Sequence, residues 1–191
     1  MKNTAIVTGA SSGIGREISR VLVEMGYEVY GFGREFPEEE VYFHPIVCDL
    51  LNTPELERQI KEIRRRNDVS LLVNNAGVGY YGLHEELNVQ KIQKLVRTNL
   101  EVPMVLTNLL LRDLKKYSGT VINISSVTAQ LSNPHGCAYG ATKAGLSSFS
   151  RSLFDEVRKY GVRVVTIQPD MTKTDLYRNA DFAQGEEEAS Y

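Results

Sequence analysis

Hydrophobic and polar residues form two kinds of segment that alternate along this chain. Short runs that are apolar at nearly every position occupy residues 4–8, 28–32, 41–47, 69–73, 120–125 and 162–168. Such runs are typical of strands in a parallel sheet, where helices cover both faces. We therefore predict six strands at these positions.

Between these runs, apolar residues recur with the spacing of an α-helix. Gly26 is a stop signal for the first helix, Pro54 suits the first turn of the second, and Asn88 can cap the third. Two longer helices are predicted over residues 102–114 and 139–160. The residues expected to face inward are Ile14, Ile18, Val21, Leu22 and Met25 in the first helix, Leu56, Ile60 and Ile63 in the second, and Ile92, Leu95 and Val96 in the third.

An unbroken alternation of strand and helix predicts an α/β fold, a three-layer doubly wound parallel sheet of the Rossmann type. The length of 191 residues suits a single domain over residues 1–191. Beyond residue 176 we expect loop-like structure, and the polar, acidic residues 179–191 are predicted to be a loop or the start of a helix.

Composition narrows the possible partners and compartments. The net charge of −2 argues against a nucleic-acid partner or an anionic membrane. No apolar run approaches the ~20 residues of a membrane span. Two cysteines are too few for a disulfide framework, so a reduced, cytoplasmic location is expected. The three histidines are scattered, and we expect no metal.

A glycine-rich segment, TGASSGIG, joins the first predicted strand to the first helix. Glycines at 9, 13 and 15 would let a pyrophosphate approach the backbone, and the helix N-terminus offers free N–H groups. A tight turn without a ligand is the alternative. The strand before the loop and the helix after it favour a nucleotide.

Arg34 follows the second strand, where a dinucleotide site usually has a residue that contacts the adenosine ribose. A guanidinium suits a phosphate, whereas a carboxylate would suit a free 2′-hydroxyl. The position therefore favours NADP over NAD, with an ordinary surface arginine as the alternative. Asp49, after the third strand, could contact the adenine amino group or could simply cap a turn.

Tyr139 and Lys143 lie four residues apart in AYGATKAGL, and so share one face of a predicted helix. An ammonium close to a phenol lowers the pKa of the phenol and makes it a usable acid or base near neutral pH. Ser126 ends the strand VINISS and could hold a carbonyl oxygen. These groups suit reduction of a carbonyl or oxidation of an alcohol.

The segments TGASSGIG, NNAG, NISS and YGATK, in this order, resemble the classical short-chain dehydrogenase/reductase family from residue 4 to about residue 176. The resemblance implies Tyr139 as acid/base and Lys143 as its partner, which also holds the nicotinamide ribose. Ser126 would orient the substrate, with Ser125 the less favoured choice, and Asn99 would complete a proton relay. The cofactor contacts implied are Gly9, Ser11, Ser12, Gly13, Ile14, Gly15, Arg34, Asp49, Leu50, Asn75, Ala76, Gly77, Tyr139, Lys143, Pro169, Thr172 and Thr174.

Two features depart from the family pattern. Asp170 follows Pro169 where the family usually has glycine, which adds a side chain and a charge beside the nicotinamide. The family's usual seventh strand is not visible in this sequence.

The resemblance implies an NADP(H)-dependent oxidoreductase that acts on a small carbonyl or alcohol substrate, and in a cytoplasm the NADPH-driven reduction is the expected direction. A homodimer or homotetramer through the two long helices is also implied. The alternative is a nicotinamide-sensing protein without catalysis, which would not need Tyr139, Lys143, Ser126 and Asn99 together. A mixed apolar and aromatic pocket wall is expected from Tyr80, Tyr81, Leu131, His135, Cys137 and Met171.

Overall fold

A computed structural model of the protein describes residues 3–36 and 42–170. These residues contain six strands that form one parallel sheet in the order β3-β2-β1-β4-β5-β6. The strand bounds are β1 Thr4–Thr8, β2 Glu28–Gly33, β3 His44–Val47, β4 Val69–Asn74, β5 Thr120–Ile124 and β6 Arg163–Ile167. The predicted doubly wound parallel sheet is confirmed. The third strand is shorter than predicted, and residue 41 lies outside the described residues.

Five α-helices connect the described strands. They are α1 Gly13–Glu24, α2 Thr53–Arg66, α3 Val89–Val96, α4 Val102–Lys116 and α5 Cys137–Val157. The amide oxygen of Asn52 accepts a hydrogen bond from the Glu55 N–H and begins α2, while Asn88 caps α3 through the Lys91 N–H. One π-helical turn, Arg97–Glu101, joins α3 to α4.

Apolar side chains form one cluster on each face of the sheet. Leu56 and Ile60 of α2, with Leu106 and Leu110 of α4, belong to the larger cluster, to which α5 also contributes. Helix α1 packs on the other face through Leu22. The central strands β1 and β4 are buried as predicted, but β3 and β6 are edge strands with exposed positions.

The predicted inward face of α1 is partly wrong, because Val21 and Met25 are exposed. The buried face runs instead through Gly15, Ser19 and Leu22. Small residues lie inward there because the start of α1 packs tightly against the loop that precedes it. In α3, Leu95 is buried as predicted, whereas Val96 is exposed.

Candidate active site

The carboxyl ends of the parallel strands meet at one edge of the sheet, and the motif residues lie in the loops that follow them. In an open α/β sheet, ligands bind at this edge, where the chain order reverses beside the first strand. Here β1 lies between β2 and β4, so that the reversal falls next to the glycine-rich loop. The candidate site therefore begins at that loop.

Three glycines shape the turn between β1 and α1. Gly9 and Gly13 have φ angles of 67° and 52°, which favour glycine. A Cβ atom on Gly15 would lie 2.1 Å from the carbonyl oxygen of Gly9 and 2.4 Å from Nδ2 of Asn75. The loop therefore requires glycine at these positions. Its bare backbone beside the N-terminus of α1 fits the pyrophosphate of a dinucleotide.

The loop after β4 is hydrogen-bonded to the glycine-rich loop. The Asn75 side-chain amide donates to the carbonyl oxygens of Thr8 and Gly9, at 2.9 and 3.2 Å. The Thr8 hydroxyl accepts from the N–H groups of Asn75 and Ala76, both at 3.0 Å. The side chain of Asn75 thus shapes the glycine-rich loop. This role of Thr8 was not predicted from the sequence, because a threonine at the end of a strand gives no signal of its own.

Arg34 is exposed directly after β2, close to the glycine-rich loop. A Cβ atom on Gly33 would lie 3.1 Å from Cβ of Ser11, so that β2 ends against this loop. The Asp49 carboxylate accepts a hydrogen bond from the Leu51 N–H at 3.0 Å, as a turn cap does. Leu50 packs partly buried against the larger apolar cluster. Arg34 and Asp49 both follow strands at the same edge of the sheet.

The end of β5 carries two serines with different surroundings. Oγ of Ser126 accepts hydrogen bonds from the N–H and the hydroxyl of Thr128, at 3.2 and 3.0 Å. Oγ of Ser125 instead lies 3.0 Å from the carbonyl oxygen of Lys143 and 2.9 Å from Oγ of Ser147. Ser125 therefore faces α5 and contacts its backbone, which leaves Ser126 as the better candidate for contact with a substrate.

Tyr139 and Lys143 lie one turn apart on the buried face of α5. The Lys143 ammonium lies 5.7 Å from the centre of the Tyr139 ring and donates to the carbonyl oxygen of Ile124 at 2.8 Å. Burial lowers the pKa of the Lys143 ammonium from 10.5 to about 8. At pH 7 the lysine is therefore still mainly charged beside the phenol.

Asn99 lies in the π-helical turn, and turns of this kind often occur at functional sites. Its side-chain oxygen accepts from the Val78 N–H at 2.8 Å, and its amide group donates to the Val78 carbonyl at 2.9 Å. The same amide contacts the hydroxyl of Thr142 at 3.2 Å, and that hydroxyl donates to the Tyr139 carbonyl at 2.7 Å. Asn99 thus connects the loop after β4 to the helix that carries Tyr139. Thr142 is a second site residue that the sequence did not predict.

Gly77 lies where Asn99 and Lys143 approach each other. A Cβ atom there would lie 3.4 Å from Oδ1 of Asn99 and 3.6 Å from Nζ of Lys143. Three predicted site residues, which are far apart in the sequence, are therefore neighbours in the structure.

Aromatic residues line the side of the site near Tyr139. The rings of Tyr81 and Tyr139 lie 5.5 Å apart, centre to centre. The Gly82 N–H donates to the carbonyl oxygen of His135 at 2.8 Å, which joins the loops after β4 and β5. Leu131 is exposed on the second of these loops. Tyr81 is therefore the pocket-wall candidate that lies against the proposed acid/base.

The loop after β6 lies beside the end of β5. The carbonyl oxygen of Pro169 accepts a hydrogen bond from the Val127 N–H at 3.2 Å. Asp170 is exposed. Met171, Thr172 and Thr174 lie outside the described residues.

The described part of the chain has neither a cluster of metal ligands nor a membrane-spanning helix. Within residues 3–36 and 42–170, no three His, Cys, Asp or Glu side chains are placed to hold a metal ion. No helix among the described residues is both long enough and apolar enough to span a membrane.

Comparison with known proteins agrees with this geometry. Residues 3–184 match the family described as short chain dehydrogenase. Serine 3-dehydrogenase from Agrobacterium fabrum is 34% identical over 185 residues, which cover 92% of this chain and 74% of that protein. The NADPH-dependent 3-dehydrocapnine reductase of Ornithobacterium rhinotracheale is 32% identical over 191 residues, which cover 92% of this chain and 68% of that protein.

A solved structure gives the same result. The crystal structure of a short-chain dehydrogenase from Streptomyces avermitilis superposes with a TM-score of 0.83 at 33% identity, covering 92% of this chain and 68% of that one. This chain therefore belongs to the short-chain dehydrogenase family, and it is an oxidoreductase of that family.

Proposed function

We propose that this protein is an NADPH-dependent reductase of a small carbonyl substrate, with Tyr139 as the proton donor. The observation that carries the proposal is the position of the Lys143 ammonium, buried and 5.7 Å from the centre of the Tyr139 ring. Burial of a cation costs free energy, and the hydrogen bond from Lys143 to the Ile124 carbonyl offsets only part of this cost. A cation held in this position can stabilise the phenolate that Tyr139 becomes after proton transfer.

In the proposed mechanism, the cofactor is held by the glycine-rich loop, by Arg34, by Asn75–Gly77 through their backbone, and by Lys143. When bound, the nicotinamide supplies a hydride for the carbonyl carbon. Ser126 donates a hydrogen bond to the carbonyl oxygen, and Tyr139 donates the proton that this oxygen takes up. Lys143 stabilises the phenolate that remains, and Asn99 holds the loop after β4 against α5.

NADP, and not NAD, is proposed as the cofactor because Arg34 follows β2 beside the glycine-rich loop, where a guanidinium suits a 2′-phosphate. A relative named as an NADPH-dependent reductase supports this choice. Thr172 and Thr174 remain proposed contacts on the strength of the family pattern alone.

Exposed apolar side chains on the two long helices support a proposal of self-association. Met104 of α4 and Phe154 of α5 are both exposed. Closed homo-oligomers commonly bury such residues in a two-fold interface. We propose a homodimer or a homotetramer, and light scattering of the purified protein, compared with the Phe154→Asp variant, tests it.

The proposed activity can be tested by following NADPH oxidation at 340 nm with three probes of different chemistry: acetoacetyl-coenzyme A, 4-nitrobenzaldehyde and cyclohexanone. The oxidative direction is tested with NADP and L-serine. We expect turnover of at least one probe, and its loss in Tyr139→Phe. If NADPH binds but no probe raises its oxidation above the rate without protein, the protein is a non-catalytic nucleotide-binding protein instead. Equal turnover by the wild type and Tyr139→Phe would show that Tyr139 is not the proton donor.

A further inference from the structure

Three consecutive residues at the end of β5 make three different contacts. The carbonyl of Ile124 accepts a hydrogen bond from the Lys143 ammonium at 2.8 Å. The hydroxyl of Ser125 donates to the Lys143 carbonyl at 3.0 Å. Ser126 is the proposed substrate contact. Lys143 is thus held to the strand end twice, once by its side chain and once by its backbone.

The second of these contacts belongs to a longer chain of hydrogen bonds. A hydroxyl has one proton, and Ser125 gives its proton to the Lys143 carbonyl. The hydroxyl of Ser147, 2.9 Å from that of Ser125, must then be the donor of the bond between them. The Ser147 oxygen in turn accepts from the Gln168 amide at 3.4 Å.

The outer end of the chain lies on the loop after β5. The Gln130 amide donates to the Gln168 side-chain oxygen at 3.0 Å. Every bond in the series therefore points the same way, from Gln130 through Gln168, Ser147 and Ser125 to the backbone of Lys143. Bonds that point the same way polarise one another, and burial strengthens them. Ser125 and Ser147 are both buried.

This series of hydrogen bonds joins the elements that surround the proposed reaction. Gln130 lies in the loop that begins at Ser126, and Gln168 precedes Pro169 at the end of β6. Ser147 lies on α5, one turn beyond Lys143. A shift of α5 along β5 would move Tyr139 relative to Ser126, and this series of hydrogen bonds opposes such a shift.

We propose that Ser125 and Ser147 are positioning residues that fix α5, which carries Tyr139, against the end of β5 through this hydrogen-bond chain. The inference rests on the proposed function, because the geometry to be kept is that of Tyr139 relative to Ser126. Ser125, the neighbour of the proposed substrate contact Ser126, thus acts on α5 and not on the substrate.

The test compares Ser125→Ala, Ser147→Ala and the double variant, using whichever of the three carbonyl probes the wild type reduces. Each single variant is expected to lower kcat roughly tenfold with KM nearly unchanged, and to shift the pH profile of kcat. Because both hydroxyls belong to one hydrogen-bond chain, the kcat of the double variant should fall by about as much as that of the more impaired single variant.

Ser150→Ala is the matched control. Ser150 is also buried on the inner face of α5, but its hydroxyl bonds to Leu146 and Asn123, outside the chain. It should lose stability without a change in the pH profile. Ser147→Thr, which keeps the hydroxyl, should recover most of the kcat that Ser147→Ala loses.

The proposal is overturned if Ser125→Ala and Ser147→Ala affect kcat and the pH profile no more than Ser150→Ala, or if their losses multiply in the double variant. If Ser125→Ala fails to fold, Gln168→Ala, at the outer part of the chain, should still give a smaller loss of kcat in the same direction, and unchanged kcat would count against the proposal.

A further measurement does not depend on turnover. The titration of Tyr139 can be obtained from absorbance at 295 nm, as the wild type minus Tyr139→Phe, and compared in the Ser125→Ala background. A shifted Tyr139 titration supports the proposal even if no probe is reduced, and an unshifted one contradicts it. Failure of the positioning role is therefore distinguishable from failure of the proposed activity.

Discussion

The ammonium of Lys143 lies 5.7 Å from the centre of the Tyr139 ring. The same ammonium donates to the carbonyl of Ile124, so that one cation joins α5 to the end of β5. Burial of this group has a cost, which is visible as a pKa lowered to about 8. The charge of Lys143 is therefore retained near pH 7 and is lost as the pH rises above 8.

The lowered pKa of Lys143 predicts how the free energy of unfolding depends on pH. Because the folded pKa of about 8 lies below the ordinary 10.5, the unfolded chain binds more protons between these values. The free energy of unfolding should therefore rise with pH through this window. From pH 7 to pH 9 we expect Lys143 to contribute a gain of about 1 kcal/mol.

Urea unfolding of the wild type and Lys143→Met at both pH values measures this contribution, because other titrating groups cancel in the comparison. The nearby titratable group is Tyr139, so Tyr139→Phe and the double variant should be measured as well. An equal pH dependence in the wild type and Lys143→Met would show that the lysine is not a buried cation.

Tyr139→Phe removes only the hydroxyl of the proposed proton donor. We expect the dissociation constant for NADPH to stay within about threefold and turnover to fall by roughly 100-fold or more, as for loss of a general acid. Fluorescence titration of NADPH and the 340 nm assay give the two quantities. Tyr160→Phe makes the same chemical change at an exposed side chain just beyond the end of α5, and this variant should behave as the wild type does.

Gly15→Ala tests the glycine-rich loop. The added Cβ would lie 2.1 Å from the Gly9 carbonyl oxygen, so the loop must shift and NADPH binding should weaken by at least about tenfold. Gly26→Ala is the control, since its φ of 87° makes alanine strained while no atom lies within 4 Å of the added Cβ. It should lower stability by about 1 kcal/mol and leave NADPH binding intact. Equal loss of binding in both variants would point to general unfolding as the cause.

The strand pattern was predictable because β1 and β4 are buried on both faces, which leaves continuous apolar runs in the sequence. The site residues in glycine-rich or strand-end motifs were predictable for a related reason, since their local context is visible in the sequence. Periodicity failed where packing is polar or close. The buried face of α5 includes Thr142, Ser147 and Ser150 as well as Leu146 and Leu153, so its apolar pattern is interrupted by polar residues.

Contacts between distant parts of the chain could not be read from the sequence. Thr8 accepts hydrogen bonds from the loop after β4, and Gln168, after β6, donates a hydrogen bond to Ser147 on α5. Neither residue is unusual for its position in the sequence. Their roles depend on the parallel register that brings the strand ends together, and this register becomes known only with the tertiary structure.

Arg34 makes the cofactor preference testable. It is exposed directly after β2, beside the glycine-rich loop, and a guanidinium there would pair with a 2′-phosphate. Arg34→Asp replaces it with a carboxylate, which repels a phosphate and can accept a hydrogen bond from a ribose 2′-hydroxyl. We expect the ratio of kcat/KM for NADPH to that for NADH to fall by roughly 100-fold, mostly through a weaker NADPH complex.

Arg65→Asp is the matched control for this change of charge. Arg65 is exposed near the end of α2 and pairs with Glu62, at the opposite edge of the sheet. A general effect of net charge on the binding of an anionic cofactor would appear equally in both variants, because each changes the net charge by the same amount. A selective loss of NADPH preference in Arg34→Asp alone assigns the effect to a local phosphate contact. If the ratio is unchanged there, Arg34 does not select the cofactor, and the proposed preference for NADP loses its main structural support.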